Sequence, residues 1–444
     1  MTAKNDKKTI WAWCVFDWAN QAYNMVITTT IFPAYYVFIT YNEKTHYDKV
    51  TFFGHTFINT VLSTYILGLS YLVVVAILPI LTSLADYRGN KKVYLQAFTW
   101  LGSLACAGLF FLKPGGQLEF GMICFGLACI GYCGGFVFYN SYLPQIATLD
   151  KQDSVSAKGF IYGYVGSIVV QLICFVVVLA PQLFGMKDDD LPARVSFIIV
   201  FVWWIGFSII PFKLLPKGEP NVGSHKFNVW TGGFKELAKV FRNVRSMPLV
   251  KRFLPAFFFY SVGVQTIMLV AANFAAKELN MPEDSLITII LIIQVLAVIG
   301  AWLTSKSSAK YGNTRTLIVL VIIWTAICMC VYFVANAAQF YVAAVVVGLV
   351  MGGVQSLSRS TYSKLLPPNI PDTASYFSFY DVTEKLAIVV GLFTFAKVED
   401  LTGEMRDSAL VLDGFFVVGL LLLLVLFVAE RKTGKQELEP VVAV

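Results

Sequence analysis

Polar and ionisable side chains set inside long apolar runs are the residues of this chain whose types and spacing could do chemistry. In the first such run stand Asp17, Asn20, Gln21 and Asn24. Their offsets of three, four and seven place them along one face of a helix. A carboxylate left unpaired in hydrocarbon costs at least ~2.5 kcal/mol, so that face must turn toward other helices or water. Asp17 is the leading candidate, and the alternative is a purely interhelical hydrogen-bonding role. Later runs add Gln265, Gln355, Arg359, Asp381, Glu384 and Lys385. Burial raises a carboxylate's pKa, which taking up a proton from a gradient requires, and Asp17 or Glu384 could do so. The amides, with Arg359 or Lys385, could fix a zwitterionic or anionic solute. Asp381 and Lys385, four apart, could instead neutralise one another, which would leave Glu384 without a local partner.

What must position these residues is a set of membrane helices. Hydrophobic residues make up 57% of the 444 and charged residues 14%, against about 25% charged in soluble domains. About 20 apolar residues span a bilayer core at ~1.5 Å per residue. Twelve runs are long enough: 10–38, 60–84, 93–112, 120–142, 159–184, 195–215, 253–276, 287–305, 317–334, 340–362, 376–396 and 409–429. The expected fold class is an all-α, polytopic membrane protein. The first run, preceded by Lys4, Lys7 and Lys8, is too long for a removable signal peptide and lacks its cleavage site, so it is retained. Residues 41–59 read as an outer loop, 145–158 as a loop, and Asp188 to Asp190 as part of another outer loop.

The one sizeable polar interruption is 216–251, and nine Lys or Arg lie from Lys213 to Arg252. Phe234, Leu237, Ala238, Phe241 and Val244 recur there at helical spacing, with Lys235, Lys239, Arg242 and Arg245 opposite. That predicts an amphipathic helix on the inner membrane surface, and no nucleic-acid partner is needed to explain its charge. It separates a six-helix half, 1–215, from a second, 252–444. Gly131, Gly134 and Gly135 in the first half answer to Gly348, Gly352 and Gly353 in the second. An offset of about 220 residues marks parallel repeats, which place a central site between halves. With both termini inside, inner segments hold 25 of the 34 Lys and Arg and outer loops 8, which decides for cytoplasmic termini.

The eight cysteines, Cys14, Cys106, Cys124, Cys129, Cys133, Cys174, Cys328 and Cys330, all lie in apolar runs and read as small packing residues. Cys129 and Cys133 have no His or carboxylate nearby in sequence, so no metal or other cofactor is expected. His46, His55 and His225 fall in predicted loops. No nucleophile–base or metal constellation stands in the helices, so an enzyme is not expected.

Between the second and third runs lies Leu84-Ala85-Asp86-Tyr87-Arg88-Gly89-Asn90-Lys91-Lys92. It resembles the loop between helices 2 and 3 of the major facilitator superfamily. The resemblance implies the major facilitator fold, with Asp86 and Arg88 in a charge network closing an inner gate and Gly89 at the turn. A second copy, from Ala309 to Arg315, has Ala309 in place of the Asp. Three further stretches are similar to the vacuole-effluxer branch of that superfamily. They are Trp11 to Tyr23, around Phe16-Asp17-Trp18-Ala19-Asn20; Gly352-Gly353-Val354-Gln355-Ser356-Leu357-Ser358-Arg359-Ser360; and Tyr260-Ser261-Val262-Gly263-Val264-Gln265-Thr266.

That resemblance implies a transporter and, from fungal members, export of amino acids. The chain departs from the branch at Val262, where an Asp is usual, and at Glu384-Lys385, where a Gly-Lys pair is. The expectation is a monomeric secondary-active transporter in the lipid bilayer, the cytoplasmic membrane if bacterial, moving a small-molecule solute with protons as coupling ion. Sugars, nucleosides, peptides and lipids compete with amino acids as solute. A non-transporting receptor or scaffold is the alternative of another class.

Overall fold

The first membrane run is interrupted. In the computed structural model, α1 (Lys7–Ala22) passes into a π-helix over Tyr23–Thr30 and then into α2 (Ile31–Thr40). The hydroxyls of Thr29 and Thr30 donate to the carbonyls of Asn24 and Met25, five residues back, at 2.8 and 2.7 Å. Pro33 has no N–H to give to residue 29, which removes one α-helical bond from the same turn. The single helix expected over 10–38 is therefore three segments, and Asn24 sits in the widened one. Asp6 caps α1, its carboxylate accepting from Thr9 N and Oγ1 at 2.9 and 2.7 Å. Those two bonds hold its carboxyl below the usual carboxylate range.

The structure describes residues 4–40, 49–217, 229–279, 281–367 and 372–438. The stretch 49–58, expected as loop, is an antiparallel hairpin of β1 (Lys49–Phe52) and β2 (His55–Ile58). Phe53 and Gly54 both have positive φ, 46° and 80°, the two-residue turn that matches strand twist. His55 thus lies on a strand, whereas His46, His225 and the rest of the expected loop, 41–48, lie outside the described residues.

The chain continues through α3 (Asn59–Arg88), α4 (Lys91–Gly108), α5 (Leu118–Asn140), the short α6 (Leu143–Ile146), α7 (Gln152–Leu179) and α8 (Leu191–Leu214). Then follow α9 (Val229–Ser246), α10 (Pro248–Leu279), α11 (Glu283–Tyr311), α12 (Asn313–Tyr332), α13 (Ala337–Leu365), α14 (Thr373–Thr402) and α15 (Met405–Leu438). The loop expected over 145–158 is largely helical, since α7 already begins at Gln152. In α9 Val240 and Val244 are buried while Phe241 is exposed, so the buried face is rotated from the one expected. The side chains of Phe234, Lys235 and Leu237 lie outside the described residues. Seven cysteines are buried as expected and Cys330 is exposed.

Eleven helices among the described residues are long and apolar enough to cross a membrane. Outside that set is α14, whose Asp381, Glu384 and Lys385 interrupt its apolar run, although its 30 residues reach about 45 Å.

Two compact units divide the chain. One takes the described residues of Met1–Ile146, Gly159–Gly233 and Pro371–Ser378, the other those of Ala147–Lys158, Phe234–Ile370 and Phe379–Val444. Each unit thus includes the first turn of a long helix from the opposite half of the sequence, α14 in one and α7 in the other. In each unit glycine lets helices touch at backbone distance. A Cβ on Gly131 of α5 would lie 2.3 Å from the Gly102 Cα of α4, and one on Gly352 of α13 would lie 2.2 Å from the Ala297 carbonyl of α11.

Candidate functional site

In the first unit the polar face of α1 is buried against α5 and α7. Asp17, Asn20 and Gln21 are buried, and Asn24, in the π-helix, is half-buried. The Tyr139 hydroxyl of α5 donates to Asp17 Oδ2 at 3.0 Å. Tyr139 is itself fixed, stacked on Trp13 with centroids 4.4 Å apart, while Trp13 Nε1 donates to its carbonyl at 3.0 Å. The Tyr132 hydroxyl reaches Gln21 Oε1 at 3.4 Å. Gly163 of α7 faces this cluster, where a Cβ would lie 2.8 Å from Gln21 Cγ and 3.4 Å from Asp17 Oδ1. Both amide heavy atoms of the fully buried Asn20 lack a hydrogen-bond partner among the described residues. A buried amide in that state is destabilising until something binds it, which makes it the member of the cluster most in want of a ligand.

In the second unit α10, α13 and α14 assemble a counterpart. Gln265 Nε2 donates to Glu384 Oε1 at 2.8 Å, and Lys385 Nζ pairs with Glu384 Oε2 at 2.7 Å. Glu384 would lack a local partner had Lys385 served Asp381 alone; instead one of its oxygens takes an amide and the other an ammonium. Asp381 is buried on the same helix, and the half-buried Gln355 places its Nε2 3.5 Å from Met268 Sδ. Arg359 is buried and committed to α7, its Nε donating to Ser156 Oγ at 2.9 Å and a terminal nitrogen to the Ser156 carbonyl at 2.8 Å. That geometry makes Arg359 an anchor for the first turn of α7. Val262, where the effluxer branch has Asp, packs in a buried apolar cluster with Ile289, Ala387 and Leu412.

The loop between α3 and α4 is tied to α14 within the first unit. Asp86 Oδ2 accepts from Ser375 N and Oγ at 2.7 and 2.8 Å, and its Oδ1 from Ala374 N at 3.2 Å, so it caps the start of α14. Gly89, at φ 63°, closes α3, its N–H and that of Asn90 returning to the carbonyls of Asp86 and Ala85. Arg88 is the last residue of α3 and exposed. The buried cation here is Lys91, lying 4.0 Å over the Tyr142 ring and 3.2 Å from the Ser141 carbonyl.

Sequence reasoning missed a second acid. In the second unit Asp153 of α7 accepts from Asn313 Nδ2 at 2.8 Å, from Ser308 Oγ at 3.2 Å and from Lys364 Nζ. Ala309 stands where the resemblance implies an Asp, and the acid beside this loop is Asp153 of α7. The signal is the run Asp153-Ser154-Val155-Ser156, a helix-opening pattern inside the loop expected over 145–158.

A predominantly helical chain with eleven apolar spans among the described residues and buried polar clusters on its helices is a multi-pass integral membrane protein. Its fold is that of the major facilitator transporters. The E. coli fucose:proton symporter FucP superposes with a TM-score of 0.69 over 94% of this chain and 98% of that one, at 13% identity. Residues 5–438 match the family described as vacuole effluxer Atg22 like, and the chain belongs to that family. It is 29% identical over 419 residues to an uncharacterized MFS-type transporter, YxiO of Bacillus subtilis, covering 93% of each. To autophagy-related protein 22 of Yarrowia lipolytica it is 27% identical over 334 residues, 68% of this chain and 55% of that one, so it spans about half of the fungal relative.

Proposed function

We propose that this chain is a secondary-active transporter that moves small polar organic solutes, amino acids foremost, by alternating access coupled to protons. The observation that carries the reading is the α1 cluster, in which a buried carboxylate, Asp17, stands one helical turn from an amide, Asn20, with no partner among the described residues. Membership of an effluxer family supports export as the direction.

In this reading Asp17 exchanges the proton, and Asn20, Gln21 and Asn24 offer both donors and acceptors to an ammonium and a carboxylate. Within the second unit Gln265, Gln355, Glu384 and Lys385 offer a further set of polar groups, Glu384 and Lys385 being able to part and pair with a zwitterion's two ends. Asp381 supports them from the same helix, Arg359 holds α7, and Asp86, Arg88 and Gly89 belong to the inner gate. The twelfth crossing is α14, both termini are cytoplasmic, the halves are 1–215 and 252–444 with 216–251 as linker, and the transporter works as a monomer in the cytoplasmic membrane if bacterial.

The direct test is thermal stabilisation of detergent-purified protein by a panel of amino acids, dipeptides, sugars and nucleosides, since a ligand of the folded state raises Tm. Branched or aromatic amino acids are expected to raise it, and Asp17→Asn to abolish the shift. A shift with sugars or nucleosides alone would overturn the amino-acid assignment.

A further inference from the structure

In the second unit a cavity of about 550 Å³ opens where α12 begins and α15 leaves its membrane span, lined among others by Lys310, Asn313, Arg315, Lys364, Phe427 and Glu430. Its carboxylate and one of its lysines are already engaged. Glu430 accepts from Thr314 Oγ1 at 2.8 Å, and Asp153, outside the cavity lining, holds Lys364.

The remaining cations of the lining, Lys310 and Arg315, and Arg431, which follows Glu430 just outside it, have aromatic faces for company. Arg315 lies 5.2 Å and Arg431 4.6 Å from the Phe427 ring, and Lys310 lies 5.0 Å from the Tyr311 ring. Among the described residues no carboxylate stands within ion-pair distance of these three. A guanidinium stacked on a ring keeps its N–H edge free, and that edge pairs bidentately with a phosphate. Two guanidiniums gathered on one ring repel each other unless an anion lies between them.

The surface that runs from this cavity along the span says which anion. From Arg315, positions four and seven further along α12 are Val319 and Ile322, 54% and 48% exposed. From Arg431, positions three and seven back along α15 are Val428 and Leu424, 52% and 42% exposed. Both arginines therefore sit at the head of exposed apolar stripes on two packed helices. A soluble anion gains nothing from those stripes, whereas acyl chains do.

We infer that the α12–α15 groove binds an anionic phospholipid, its phosphate held by Arg315, Arg431 and Lys310 and its chains on the stripes below. This site is separate from the α1 and α14 clusters, so its fate does not depend on theirs. Basic residues that only extend toward water from the membrane edge would show no headgroup preference.

The test is the melting temperature of the full-length purified protein titrated with dioctanoyl-phosphatidylglycerol, dioctanoyl-phosphatidylcholine or inorganic phosphate. The phosphatidylglycerol is expected to raise Tm saturably and the other two not to. The variant R315Q/R431Q should raise its half-saturating concentration by at least about tenfold. Equal shifts with phosphatidylcholine, or an unchanged response in R315Q/R431Q, would overturn the site. Equal stabilisation by phosphate alone would overturn the lipid as its occupant. If the double variant does not fold, Lys310→Gln, at an exposed position, should weaken the response roughly fivefold, and an unchanged response there overturns the proposal equally.

Discussion

Glu384 uses one oxygen for Gln265 and the other for Lys385, in a helix otherwise suited to hydrocarbon. Removing one partner of a buried ion pair destabilises by roughly 3 kcal/mol or more, while an isosteric amide keeps part of the hydrogen bonding. Glu384→Ala is therefore expected to lower the melting temperature clearly more than Glu384→Gln. Equal losses would show that the pair contributes through packing and not charge. The polar residues themselves were legible, because any ionisable group in an apolar run stands out in sequence. Their partners were not. That Lys385 pairs with its neighbour Glu384, that Arg359 anchors α7 at Ser156, and that Tyr139 donates to Asp17 depend on rotamers and helix rotation, which spacing alone does not fix.

At the scale of elements, glycine contacts set how near the helices pack. A side chain at Gly352 would meet the Ala297 carbonyl, whereas one at Gly414 of α15 would meet nothing within 4 Å. Gly352→Val is expected to cost about 3 kcal/mol or more, seen as lost folded yield and a lower Tm, and Gly414→Ala to change little. Similar effects of the two would contradict this account of α11–α13 packing. The helices were readable from their apolar length, and the close approach from the glycine repeat. The π-helix of 23–30 was not, because it arises from Thr29 and Thr30 hydroxyls turning to carbonyls five residues back beside Pro33, a local competition that hydrophobic periodicity does not register. The hairpin over 49–58 was hidden for a related reason: its turn uses Phe53 at positive φ, where sequence rules look for Asn or Asp.

For the molecule as a whole, the repeat offset, the composition and the loop motif carried the fold, since each is a property of the entire chain. The fine structure of the repeat did not follow by symmetry. Asp86 caps the first turn of α14 in one unit, and in the other the acid beside the α11–α12 loop is Asp153 at the first turn of α7. Coupled transport is what the proposed function asks of these parts together, and flux is its most direct readout. Protein reconstituted into liposomes with a radiolabelled branched-chain amino acid at equal concentration on both sides, and a pH jump imposed across the membrane, should concentrate that amino acid on one side. Neutralising the buried carboxylate in Asp17→Asn should abolish the gradient-driven component and leave exchange at equal pH. Movement indifferent to the pH gradient and to Asp17→Asn, or no amino-acid movement at all, would contradict the account.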